Sequence, residues 1–205
     1  MKRWTIALAL SAALTSTSAF ALENGFTNPF ASLFEGRSVA VAPSADPTEL
    51  TREIPESTRT IVADPTRGVA GSITVDTANR QLFLSMGNGQ AMRYDVGVGR
   101  EGFEWSGKAS VARKAEWPAW TPPPAMLKRR PDLPRHMEGG IDNPLGARAL
   151  YLHANGRDTG YRIHGSNEPD SIGQAVSSGC IRMLNADVED LYRRVRVGTQ
   201  VTVLR

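Results

Sequence analysis

The chain changes character at Val69. From there, apolar side chains fall on alternate positions: Ile73 and Val75, Leu82 and Leu84, then Met92, Tyr94, Val96 and Val98. Successive side chains of a strand point to opposite faces, so this period of two predicts three strands with one face on a core. Asp76-Thr77-Ala78-Asn79 and Gly87-Asn88-Gly89 separate the runs with residues that accept tight-turn dihedrals, so the strands should pair as an antiparallel meander. Apolar groups spaced in this way cannot share one face of a helix, so the domain must begin as a sheet.

Between Trp105 and Asn143 the alternation fails. Pro118, Pro122, Pro123, Pro124, Pro131 and Pro134 crowd in around Trp117 and Trp120, which predicts a long ordered or semi-ordered loop. Such a loop either covers a cleft or sends its tryptophans into the core. Strands resume at Ala149–Leu152 and Tyr161–Ile163 across a turn at Asn155-Gly156, and the second delivers His164 at its end. Asn185 stands in the capping position of a helix marked by Val188, Leu191, Tyr192 and Val195, with acids early and arginines late. Gly198 ends that helix and Thr199–Leu204 reads as a last strand, so residues 69–205 form a mainly β domain with one well-formed helix.

Ahead of the domain, Met1-Lys2-Arg3, an apolar run from Trp4 to Leu14 and Ala19-Phe20-Ala21 have the order of a secretory signal spanning residues 1–21. The apolar run falls short of the roughly 20 residues a membrane span needs. Residues 22–68, rich in Pro, Ser, Thr and Ala, read as a flexible tether. Signal removal leaves 22 cationic against 21 acidic side chains, which gives no electrostatic case for a nucleic-acid partner. Lys128-Arg129-Arg130, the one tight basic cluster, is either a solvated loop or an anion site.

The chain holds one cysteine, Cys180, and three histidines. A lone cysteine in an exported protein forms no internal disulfide, so it needs a burial place or a task. A thiol attacks a carbonyl as thiolate, and its ordinary pKa of roughly 8.5 keeps it protonated unless a neighbouring imidazole helps. His164 is the candidate base, sixteen positions before Cys180; His136 in the proline-rich loop and His153 beside a turn are weaker choices. Gly179 would let a carbonyl approach the backbone, with N–H groups around Gly179 and Cys180 facing the developing oxyanion. There is no His-Glu-x-x-His and no cysteine pair, so neither a metal site nor a cofactor is expected.

His164-Gly165 followed by Ser177-Ser178-Gly179-Cys180-Ile181-Arg182-Met183 resembles the signature of the L,D-transpeptidase catalytic domain family, the YkuD type. The likeness runs upstream through Gly139-Gly140 and Asn143–Leu150 and downstream through Asn185 to Val203. It implies a mixed, sandwich- or barrel-like β fold and a cysteine acyltransferase of cell-wall biogenesis acting on peptidoglycan stem peptides, sensitive to carbapenems. By the same match Cys180 is the nucleophile, His164 the general base, Gly165 the carbonyl that orients the imidazole, and Ser177 a motif residue near the thiol. Ser178 stands where the commonest pattern has a second histidine or an arginine. Arg182 either pairs with a substrate carboxylate or locks the motif loop.

The resemblance further implies a periplasmic enzyme of a Gram-negative-type bacterium with no membrane segment after signal cleavage. The acyl group would pass to a second stem peptide, to an amine of an envelope protein, or to water. A non-catalytic wall-binding module is the remaining alternative.

Overall fold

The computed structural model describes residues 55–205; the expected signal and most of the expected tether lie outside them. The meander forms as the alternation predicts: β2 (Ile73–Asp76), β3 (Gln81–Ser85) and β4 (Gln90–Asp95) pair antiparallel, with Ile73 opposite Leu84 and Leu84 opposite Met92. Positive φ at Gly87 and Gly89 makes the second turn.

Two expectations are corrected. Residues 57–68 are not tether, because β1 (Thr60–Ala63) pairs antiparallel with β4, Thr60 opposite Arg93. This edge strand is mostly exposed, so no alternation betrays it; it is held by its ladder and by Asp187, whose carboxylate accepts from Ser57 Oγ, Thr58 N (3.0 Å) and Thr58 Oγ1 (2.7 Å). Nor is 105–143 loop throughout, since β6 (Gly107–Glu116) is a ten-residue strand paired with β7 (Arg148–Ala154) on one side. Ala109 and Val111 face the core, but a bulge between Val111 and Arg113 moves the inward phase to Lys114, opposite Leu150. A strand that changes phase shows no steady period of two. Lys114 then reaches along the sheet to donate to the carbonyls of Tyr192 and Val195 at 2.6 and 2.8 Å. The proline-rich remainder is irregular apart from the short exposed helix α1 (Pro124–Arg129).

β8 (Arg157–His164) returns antiparallel to β7, and β11 (Gln200–Leu204) inserts between β2 and β6. With β10 (Ile181–Arg182) parallel to β8, the nine-stranded sheet runs β1-β4-β3-β2-β11-β6-β7-β8-β10. Gly97, just beyond β4, exchanges backbone hydrogen bonds with Arg182 of β10 at 2.9 and 2.8 Å. The sheet thereby curls back on itself in a mixed, barrel-like closure. A parallel ribbon of β5 (Val98–Gly99) and β9 (Ala175–Ser177) lies beside that seam. Inside are Leu82, Tyr94, Val111, Leu150, Leu152, Ile163, Ile181 and Met183, closed by Val188, Leu191 and Val195 of and just beyond α2 (Asn185–Arg194).

Asn185 does not cap α2: the helix begins at Asn185 itself, Leu184 precedes it, and no side chain caps the end. The helix also carries two buried acids. Asp190 accepts from Tyr94 Oη at 2.8 Å and from Arg194 Nε at 2.7 Å, which offsets the cost of burying its charge.

Candidate active site

The site grows from the parallel pairing of β8 and β10. Ile181 lies beside Ile163 and Arg182 beside His164. The two isoleucines are buried in the core, so Arg162, His164 and Arg182 occupy the opposite face. Cys180, one residue before β10, continues this register and lies beside Arg162. Thiol and imidazole thus come from adjacent, parallel segments at diagonal positions. The fifteen residues between them, 165–179, are the crossover that brings them together.

His164 is 4% exposed, and its Nδ1 lies 2.5 Å from the Gly165 carbonyl oxygen. A carbonyl accepts only, so Nδ1 carries the proton and Nε2 keeps its lone pair. Burial, reinforced by the charges of Arg182 and Arg162, pushes this imidazole down to about 4. It is therefore neutral at neutral pH. Burial pushes the Cys180 thiol up, opposed by the Arg162 N–H and by the Arg162 and Arg182 charges. The resting pair is a neutral thiol with a neutral imidazole.

The turn before Cys180 is fixed by Ser177. Its buried hydroxyl donates to the Cys180 carbonyl at 2.6 Å and accepts the Gly179 N–H at 3.0 Å. The Gly179 amide is therefore already engaged, which corrects the expectation that it faces an oxyanion. Gly179 has φ of +110°, and a side chain there would collide with the Tyr161 ring and the Phe103 carbonyl. Glycine is required by both backbone and space. Tyr161 in turn stacks on Trp105, with ring centres 4.7 Å apart. Ser178 is half-buried, and its hydroxyl has no hydrogen-bond partner among the described residues.

Arg182 donates from Nη1 to Glu168 at 2.6 Å, and its backbone closes the sheet on Gly97. Both observations suit an arginine that locks the loop, with donors to spare. His136 lies apart, exposed between Thr121 and Glu138, and His153 sits at the far end of β7 opposite Ser110 and Asp158.

Residues that the motif does not advertise hold the site. Asn185 accepts the N–H of Ala147 (2.9 Å) and of Ser166 (3.3 Å) on Oδ1 and donates to the Ser166 carbonyl (3.1 Å). It clips the loop after His164 to the segment leading into β7. Gly146 and Gly165 must be glycines here, because a Cβ on either would strike Asn185 Oδ1. Arg162 also stands outside the motif. Its signal was its place two residues before His164 in the same strand, where period two puts both on one face.

No group of three or more His, Cys, Asp or Glu suited to a metal occurs among the described residues, and no helix there is long and apolar enough to cross a membrane. A curled β-sheet that presents a single thiol beside a buried, oriented imidazole defines a candidate thiol-dependent enzyme domain. The family model of the YkuD L,D-transpeptidase catalytic domain matches residues 70–203. The chain belongs to that family.

Its relatives include the probable L,D-transpeptidases ErfK/SrfK and YbiS of Escherichia coli (strain K12). ErfK/SrfK is 37% identical over 66% of this chain and 44% of its own length, YbiS 36% over 63% and 43%. The chain thus spans less than half the length of these curated relatives. Among solved structures, an L,D-transpeptidase from Mycobacterium smegmatis has a TM-score of 0.52 at 17% identity, over 67% of this chain and 60% of that one, a likeness of fold. A Brucella melitensis protein named a probable carnitine operon oxidoreductase is 42% identical, with a TM-score of 0.50 over 73% of this chain and 95% of that one. That name belongs to the Brucella protein; the family model and the curated relatives agree on the transpeptidase domain.

Proposed function

We propose that the protein is an exported peptidoglycan L,D-transpeptidase that acts in the periplasm by two-step acyl transfer on Cys180. The observation that carries this reading is the neutral His164, its Nδ1–H tied to Gly165 and its Nε2 available on the face that holds the thiol. Nε2 takes the thiol proton as sulfur attacks the carbonyl between the L-centre of diaminopimelate and the terminal D-alanine. The imidazolium returns that proton to the leaving D-alanine nitrogen. A thioester remains on Cys180. An acceptor amine, from a second stem peptide or an envelope protein, then attacks it, loses its proton to Nε2 and frees the thiol.

A thiol raised by burial and an imidazole lowered by it favour proton transfer during attack over a standing ion pair. The oxyanion that forms needs donors other than the Gly179 amide, and the guanidinium charges of Arg162 and Arg182 lie on the same face.

Intact-mass measurement with a carbapenem tests the nucleophile. A covalent adduct is expected on the native protein and none on C180A, with acylation slowed by orders of magnitude in H164A. No adduct on the folded native protein would defeat the proposal. With stem tetrapeptides, a joined product marks transfer, whereas a trimmed tripeptide alone marks hydrolysis.

A further inference from the structure

Across the site face, strand register aligns two rows of side chains. One runs Arg113, Tyr151, Arg162 and then Cys180; the other runs Ala115, Ala149, His164 and Arg182. In the first row the Tyr151 ring has the Arg113 guanidinium 3.5 Å from its centre and that of Arg162 at 4.5 Å. These contacts hold Arg162 in a defined orientation.

A guanidinium has five N–H donors, and those of Arg162 can be assigned. Nη1 donates to Asp158 Oδ1 at 2.7 Å and to the Tyr161 carbonyl at 2.9 Å, and Nη2 donates to Asp158 Oδ2 at 2.8 Å. Two donors remain, the Nε–H and the second Nη2–H, with no acceptor among the described residues. They are parallel and form the other edge of the fork, spaced to grip a second carboxylate. The Asp158 side chain is 49% exposed and that of Arg162 18%, so the protein carboxylate lies at the rim and the guanidinium deeper in. Arg182 and Glu168 repeat this arrangement, with the arginine side chain 20% exposed and the glutamate 61%.

We propose that the open Nε/Nη2 edge of Arg162 binds the free carboxylate on the side chain of the acyl-donor residue, so that the site selects donors in which this carboxylate is not amidated. This deepens the transpeptidase reading and rests on it. Arg162 is in register with the segment that carries Cys180, one strand spacing away, so a carboxylate at the far end of a diaminopimelate side chain lies within reach while its L-centre carbonyl meets the thiol. Asp158 and Tyr151 aim the guanidinium; Arg113 backs the ring. Asn or Gln at position 162 would lack both the charge and the fork.

The test uses three stem tetrapeptides: one unmodified, one amidated on the diaminopimelate side-chain carboxylate, and one ending in D-alaninamide. Acyl-enzyme is followed by intact mass, and kcat and KM are determined separately. The native protein should prefer the unmodified donor over the side-chain amide on the order of 10- to 100-fold in kcat/KM, mainly through KM. R162Q should lose that preference. Amidation of the D-alanine should affect native protein and R162Q alike. R162K, which keeps the charge without the fork, should retain part of the preference, and it carries the test if R162Q melts too low to assay. Equal use of the two donors by the native protein, undiminished preference in R162Q or R162K, or a preference that follows the D-alanine carboxylate would each overturn the inference while leaving the transpeptidase reading intact. Failure of every tetrapeptide to acylate native protein overturns both.

Discussion

Replacing Asn185 with alanine removes a side chain that touches neither thiol nor imidazole, yet it should damage stability and catalysis together. Three hydrogen bonds are lost: from Ala147 N at 2.9 Å, from Ser166 N at 3.3 Å, and to Ser166 O at 3.1 Å. Ala147 and Ser166 are buried, so their amides are left without a protein acceptor. Leaving one such group unsatisfied costs about 1–3 kcal/mol, and the long Ser166 contact falls at the low end. Alanine recovers a few tenths of a kcal/mol as the better helix former. A net loss of about 2–4 kcal/mol lowers Tm by roughly 5–15 °C in a domain of this size. The Gly165 carbonyl that orients His164 lies in the same loop, one residue before Ser166. A displacement on the order of 1 Å there costs about 100-fold in rate. N185A should therefore show a lower Tm by calorimetry, and carbapenem acylation slowed about 100-fold even well below its Tm. N185D keeps the Oδ1 acceptor but sets a second oxygen against the Ser166 carbonyl, so it should lie between. N185A that melts within 2 °C of the native protein and acylates at the native rate would refute the reasoning.

Three further outcomes follow from the same geometry. G179A forces a Cβ into the Tyr161 ring at a φ that L-residues rarely adopt, so acyl-enzyme formation should fall at least about 100-fold by intact mass, and near-native acylation would count against the packing described. His164 is lowered from 6.5 to about 4, so the unfolded chain binds the extra proton between those values. The associated stability is complete above pH 6.5 and declines as pH falls, reaching a loss of about 3 kcal/mol near pH 4. Urea midpoints of native protein and H164Q compared from pH 7 to 4 should show this slope in the native protein only. D187A should release the strand before the meander, because Ser57 and Thr58 lose their acceptor. Limited proteolysis should then cut between residues 57 and 64 while the sheet from Ile73 onward survives; an unchanged digestion pattern would show that the β4 ladder alone holds it.

The meander, the β7–β8 hairpin and the apolar stripe of α2 were legible because each repeats a local period against one core. β6 was not, because its bulge moves the inward positions from Ala109 and Val111 to Lys114, and β1 was not, because its anchor is an aspartate 129 residues away. The same division runs through the site. Cys180, His164, Gly165 and Ser177 stand in short motifs, and what they do is decided by neighbours one to three positions along the chain. Asn185 and Arg162 act across the fold, and each has a plausible local meaning that hides the distant one. An asparagine ahead of an amphipathic run reads as a cap, and an arginine within a strand stands in no motif. The structure withholds the cap from Asn185 and turns its amide onto Ala147 and Ser166; it buries most of Arg162 beside the thiol and engages only part of its fork. Arg162 packs on Tyr151 and bonds to Asp158 and the Tyr161 carbonyl, and two of its donors are left over. Those two donors are the ones the proposed acyl-donor carboxylate takes.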